Sequence, residues 1–178
     1  MASLGARMTG AMKGDVATFE DIERDPTAMG QAITVIVIAG LAALVGNIFR
    51  SGIGGGIAAL LLSLIGYGVW AVLVTLIGTK LMPEPATKAD FAETFRTIGF
   101  AASPGVFNVV AIVPFLGPFI SFLISIWSLI IMVIAVRTVL DYSNTGRAII
   151  VVLIGWVIYM ILTFLILTPL FIGSAMMG

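Results

Sequence analysis

The side chains able to do chemistry in this chain are few and unevenly placed. There are nine Lys and Arg, nine Asp and Glu, and no Cys or His among the 178 residues. Without Cys or His there is no disulfide, thiol nucleophile, His-based triad, His-ligated haem, or zinc site built on sulfur or imidazole. The acidic residues lie outside the apolar segments, so no carboxylate cluster sits inside one to hold a metal. No cofactor and no catalytic residue is expected. Four charged residues stand out by position. Arg96 precedes an apolar segment, Arg137 and Asp141 are four apart where another ends, and Arg147 opens the last. At a membrane surface such groups contact lipid headgroups or a partner protein; the structural alternative is topology anchoring with a loop clamp. A second set, Ser121, Ser125 and Ser128, recurs at i, i+4 and i+7. Hydroxyls so spaced could line a pore, but small residues on one helix face more commonly mark close helix packing. Asn47, Asn108, Tyr67 and Tyr159 read in the same way, as helix–helix hydrogen-bonding groups.

The elements that must carry these residues are apolar. Hydrophobic residues are 60% of the chain, charged residues 10%, and mean hydropathy is +1.19. A soluble domain has about 25% charged residues, so these proportions require a lipid solvent. Net charge is zero, which gives no electrostatic footprint for nucleic acid. Five apolar spans are predicted: Ala32 to Phe49, Ile57 to Thr79, Ile98 to Val113, Phe119 to Leu140 and Ala148 to Ile172. Each approaches the roughly 20 residues that cross a hydrocarbon core. The third is short and holds Pro104, Gly105 and Asn108, so it either kinks or re-enters without crossing. Arg50 and the glycines Gly52, Gly54, Gly55 and Gly56 are expected to form a flexible turn; a phosphate loop would need Gly-Lys-Ser/Thr after a strand. The chain divides into a polar tail (1–30), a five-helix domain (31–173) and a short C-terminal tail (174–178).

No 7–15-residue apolar core precedes the first span, which is expected to act as an uncleaved insertion signal. Two short amphipathic helices are expected beside the spans. In the tail, Asp15 can cap a helix with Val16, Phe19 and Ile22 on one side, stopped at Asp25-Pro26. It lies near the membrane or packs on the protein's own loops. After Pro83 and Pro85, Thr87 and Asp90 have capping-box spacing ahead of Phe91, Phe95 and Ile98 at i, i+4 and i+7. Charge sets the count of crossings. With five crossings and the N-terminus in the cytoplasm, eight of the nine Lys and Arg are inside and only Arg50 is outside. Re-entry of the third segment would place three outside. The positive-inside rule therefore favours five crossings with the C-terminus outside.

Several runs carry a resemblance. Asp25-Pro26 is followed by Gly30-Gln31-Ala32, and Arg96-Thr97-Ile98-Gly99-Phe100-Ala101-Ala102-Ser103-Pro104-Gly105 by Ile112-Val113-Pro114-Phe115-Leu116-Gly117. Trp127, Ala135-Val136-Arg137, Asp141-Tyr142-Ser143 and Gly146-Arg147-Ala148 complete the pattern. In order and spacing it resembles the Yip family of five-spanning membrane proteins, in its bacterial branch, over roughly residues 14–170. The resemblance implies a five-helix membrane domain with a cytoplasmic N-terminus and no catalytic residues. Eukaryotic members bind Rab GTPases and act in vesicle traffic and membrane shaping. This chain lacks their long N-terminal region, and a bacterial host has no Rab system. The expected function is a non-enzymatic scaffold, adaptor or accessory subunit in a bacterial plasma membrane, partnered by lipids and by another membrane protein or itself. A passive channel or small-molecule transporter is the alternative.

Overall fold

The computed structural model describes residues 2–113 and 115–176, with side-chain surroundings described as far as Leu165. Pro114, in the expected turn, and Met177 and Gly178, in the expected tail, lie outside the described residues. Among the described residues seven α-helices follow in order: α1 (Leu4–Met12), α2 (Val16–Arg24), α3 (Ala28–Gly46), α4 (Ile48–Leu76), α5 (Phe91–Ala101), α6 (Leu116–Val139) and α7 (Thr145–Met176). A π-helical turn, Ile77–Leu81, extends α4, and a 3-10 helix, Ser103–Ile112, extends α5. Five segments of the described residues are long and apolar enough to cross a membrane: Ala28–Gly46, Ile48–Leu81, Phe91–Ile112, Leu116–Val139 and Thr145–Leu165.

The third span resolves the doubt about its length. Pro104 has no N–H and sits at the start of the 3-10 helix, where none is needed. A 3-10 helix rises about 2.0 Å per residue against 1.5 Å for an α-helix, so the joined segment reaches roughly 36 Å, enough for a core of about 30 Å. Its neighbours on α3 show that it keeps going in one direction. Gly99 faces Ala32, Gly105 faces Ala39, and Asn108 faces Gly46. The numbers rise together, so the segment runs parallel to α3 along its length instead of turning back. The approach is backbone to backbone: a methyl group on Gly46 would collide with the Asn108 carbonyl, and one on Gly117 with the Ala111 carbonyl. Small residues permit this in lipid, where association depends on close packing.

Two expectations about boundaries are corrected. The expected turn is narrower than Arg50–Gly56: the chain departs from helix at Asn47 and again at Gly52 (φ 65°), with the short Ile48–Ser51 stretch between them. Gly54, Gly55 and Gly56 already belong to the helix of the second span, which therefore starts after Gly52 rather than at Ile57. In an apolar medium each backbone group must find its partner within the helix, and this outweighs glycine's weak propensity. The capping box is Asp90 with Glu93, not Thr87 with Asp90. The Glu93 amide donates to Asp90 over 2.8 Å and the Asp90 amide to Glu93 over 3.0 Å. Glu reaches back to the cap amide where the shorter Asp is the weaker partner. Thr87 instead donates to the Leu140 carbonyl over 2.7 Å, tying two loops.

The N-terminal tail holds two helices rather than one. Phe19 and Ile22 of α2 are fully buried with Ala11, Ala28, Phe100 and Ile131, while Val16 is exposed. A second cluster joins Ala71, Val74, Ile98, Val136, Val139 and Val151. The span Phe91–Ile112 is the most enclosed of the five candidates, 56% buried against 11% for Ile48–Leu81, and its α5 residues Ile98 and Phe100 reach the two clusters.

Candidate functional site

All the charged residues except Arg50 gather at one end of the bundle, where α1, α2, the segment 82–90 and the segment 140–144 meet. Arg7 is the hub of the N-terminal side. Its side chain is 2% exposed, and it donates to Asp21 (2.9 Å), to Asp25 (2.6 Å) and to Gln31 (3.1 Å). One planar guanidinium thus pins α1, α2 and the start of α3. Burial opposes its charge, but its hydrogen bonds to Asp25 and Asp21 and the charges of those carboxylates raise its affinity for its proton overall. Thr27 and then Arg7 hold the Asp25 carboxyl down to about 2. Trp127 of α6 fixes the end of α1 by donating to the Met12 carbonyl over 2.9 Å, and its ring stacks on Phe107 at 5.6 Å.

Arg96 rises from α5 beneath α2. It is 6% exposed and donates to the Glu23 carbonyl over 2.5 Å. That carbonyl belongs to the last turn of α2, where orphan carbonyls and the helix dipole favour a cation. Its Nε has no hydrogen-bond partner among the described residues.

The remaining charges join the loops. Glu84 pairs with Arg147 at 3.3 Å and accepts from the Ser143 amide at 3.1 Å. Tyr142 donates to the Met82 carbonyl over 2.8 Å, and Arg147 lies 5.6 Å from the centre of its ring. The Ser143 amide, followed by the Arg147 charge, keeps the Glu84 carboxyl below the usual range despite burial. Arg137 donates to Thr145 over 3.0 Å and to the Tyr142 carbonyl over 3.3 Å. It therefore holds its own loop closed.

The four charged residues singled out from sequence lie at this one end but serve three separate places. Arg96 is internal, Arg147 joins the loops, and Arg137 and Asp141 border a cavity of about 460 Å³ shared with Val16, Glu20, Glu23 and Arg24 of α2. Arg137 and Asp141 form no ion pair, and Asp141 takes a left-handed backbone (φ 51°). Across the cavity Glu23 is pushed up to about 7 by burial, reinforced by Asp141 and Glu93. The serines face elsewhere. Ser125 is exposed and donates to the Phe122 carbonyl over 2.7 Å, and Ser121 and Ser128 are half-buried on the flank of the Ile124–Ile131 face that packs inward.

Sequence reasoning missed Arg7, Asp21, Gln31, Glu23 and Glu84 as partners. Periodicity carries no sign of them, since their contacts span 14 to 73 residues. The one available sign is Asp25-Pro26 with Gln31, which ends a helix and enters the family pattern but names no partner. No three His, Cys, Asp or Glu side chains among the described residues are grouped as a metal ion requires.

No curated protein and no solved structure matches the chain significantly. The Yip1 domain matches residues 15–167, which begins at the cap of α2 and takes in all five candidate spans as far as Leu165, with α1 and its Arg7 ahead of it. A match over most of the chain, on five apolar helices of membrane-spanning length, makes this an integral membrane protein that belongs to the Yip1 domain family.

Proposed function

We propose that the protein is a non-enzymatic scaffold or accessory subunit of a membrane assembly, of the bacterial branch of its family, seated in the plasma membrane with its charged end in the cytoplasm and its C-terminus outside. The observation that carries the reading is the placement of the intramembrane polar groups. Ser125 faces outward, Asn108 packs against Gly46 and Gly105, and Tyr67 sits between the two buried clusters. A channel or transporter needs such groups to converge on one path; Tyr67 shares a cleft with Ser63 and Tyr159, but Ser125 and Asn108 lie away from it, which supports a packed bundle that presents its outer faces to lipid or to another protein. The charged end supports the same reading, since its guanidiniums are engaged in holding helices and loops in fixed relation.

The outward serine flank of α6 is the face on which a second membrane helix would seat, because small side chains allow close approach. The test uses Ser125→Leu and Ser125→Ala, purified in mild detergent. The leucine should leave the thermal stability of the isolated chain within about 0.5 kcal/mol, as for an exposed site, yet reduce recovery of co-purified protein or of self-association. The alanine should change neither. Full recovery with Ser125→Leu would remove the serine flank as the docking face.

A further inference from the structure

The end of the bundle opposite the charged rim holds one charged residue, Arg50. Its surroundings differ from those of the engaged cations at the other end. A cavity of about 510 Å³ opens between α3 and α4, walled by Gly40, Ala43 and Ala59 with Asn47, Arg50 and Ser51 at its mouth. The size falls in the range that holds small ligands, about 300–1,000 Å³. The cleft exists because of the sequence on both sides. Ala43 of α3 and Ala59 of α4 add little bulk to it, while Leu60 packs into the space beside Gly40 and Leu44 into that beside Gly56, so the walls are apolar. The break at Gly52 (φ 65°) offsets the short Ile48–Ser51 stretch from the rest of α4 at the cleft mouth.

Arg50 is exposed and its guanidinium makes no hydrogen bond or ion pair with any described residue. No acid is within reach in sequence, because all nine Asp and Glu lie in residues 15–25, 84–93 and 141. The Asn47 amide is already committed, donating to the Ala43 carbonyl over 2.9 Å. An apolar slot that ends in an unpaired cation at the edge of a span has the chemistry of one occupant class. An acyl chain fills the slot, and a phosphate accepts from the guanidinium fork.

We propose that the α3–α4 cleft is a binding site for one anionic phospholipid, its phosphate on Arg50 and one acyl chain between Ala43 and Ala59. Depth agrees with this. Arg50 follows the 19-residue α3, about 28 Å of helix, which places it where headgroups begin. The site lies at the opposite end from Arg96, Arg137, Asp141 and Arg147, and it does not depend on the scaffold reading.

The experiment measures thermal stabilisation of the purified full chain in detergent as phosphatidylglycerol is titrated in. Phosphatidylcholine and inorganic phosphate are run in parallel, and lipid retained after washing is quantified by mass spectrometry. Phosphatidylglycerol should stabilise and be retained at about one per chain, and neither phosphatidylcholine nor phosphate should substitute. Arg50→Gln should weaken the phosphatidylglycerol response about tenfold, the loss of one charge-assisted contact. Ala59→Leu, which fills an exposed wall without touching the core, should weaken it comparably. Lys80→Gln, removing an exposed cation at the other end, should leave it unchanged. An unaltered response in Arg50→Gln, or equal effects of the two lipids, would overturn the site. So would an unaltered response in Ala59→Leu, since the acyl chain would then lie elsewhere. Stabilisation by phosphate alone would identify a free-anion site instead and overturn the lipid assignment.

Discussion

At the scale of single residues, ionisation governs how the N-terminal helices hold to the bundle. Two carboxylates act in separate pH ranges. Asp25, held at about 2 by Thr27 and Arg7, favours docking of α2 at neutral pH, and that contribution falls as acid is added below its unfolded value near 4. Glu23 works in the opposite sense. Its carboxyl is raised to about 7, so the docked state prefers the neutral acid. Between its unfolded value near 4.5 and about 7 the docked state increasingly lacks that proton's stabilisation, and above 7 the cost is constant. Thermal stability should therefore be higher near pH 5 than near pH 8, and Glu23→Gln should flatten this difference. A pH 5 to pH 8 difference that persists in Glu23→Gln would assign the dependence to another group. Arg7 joins three helices, so Arg7→Met should expose α1 and α2 to protease and cost about 1–3 kcal/mol, the usual penalty for leaving hydrogen-bonding groups without a partner. Undiminished protease resistance in that variant would mean that Phe19 and Ile22 alone seat α2.

At the scale of elements, glycines divide into those that meet a neighbour and those that do not. Gly46 lies against the Asn108 carbonyl, a backbone atom that cannot swing aside. Gly46→Ala should separate α3 from the 3-10 helix and cost about 1–3 kcal/mol, in the range of overpacked cores. Gly54 has nothing within 4 Å of where a methyl group would sit, and its backbone is helical. Gly54→Ala should be neutral or stabilising by up to about 1 kcal/mol, from helix propensity alone. Thermal unfolding of the two variants side by side tests the parallel packing of α3 with the third span. Equal losses in both would mean that the glycines act through backbone flexibility and not through contact. The same packing explains a 10-residue 3-10 helix, an unusual length. The stretched rise lets a short apolar segment keep pace with α3 from Ala32 to Gly46.

For the whole molecule, the prediction is topological. Single cysteines can be introduced into this Cys-free chain without background. Under the proposed orientation, Thr87→Cys and Asn144→Cys should react with an impermeant reagent only from the cytoplasmic side, and Ser51→Cys only from outside. Those three positions belong to two ends that the structure separates: Thr87 is tied to Leu140 near Asn144, and Ser51 lies beyond α3. Reaction of Asn144→Cys from outside would rule the orientation out. Much of this plan was legible in the linear order of residues. Hydropathy marks segments long enough to cross a bilayer, and a polar segment between two apolar ones is visible without knowing what it touches. Family membership was legible too, because it rests on the order of short motifs. The helix over Val16–Arg24 follows from local signals, since Asp15 holds the N-cap position, although its side chain makes no capping hydrogen bond there, and Asp25-Pro26 ends it. Tertiary structure alone decided the rest. Arg50 with Gly52, Gly54, Gly55 and Gly56 reads as one turn; the packed helices confine the reversal to Asn47 through Gly52 and leave Gly54, Gly55 and Gly56 in the helix. Arg7 reads as one more inside charge, and becomes a hub only when α1 folds back to bring it to Asp21, Asp25 and Gln31. Arg137 and Asp141, four apart, read as one surface pair for lipid, a partner or a loop clamp, yet the turn at Asp141 sends one to the loop carbonyls and the other toward Glu23. Local and periodic forces act between residues a turn or two apart, so sequence determined the spans and their order. The polar contacts join residues up to 73 positions apart, and their geometry exists only once the helices have packed.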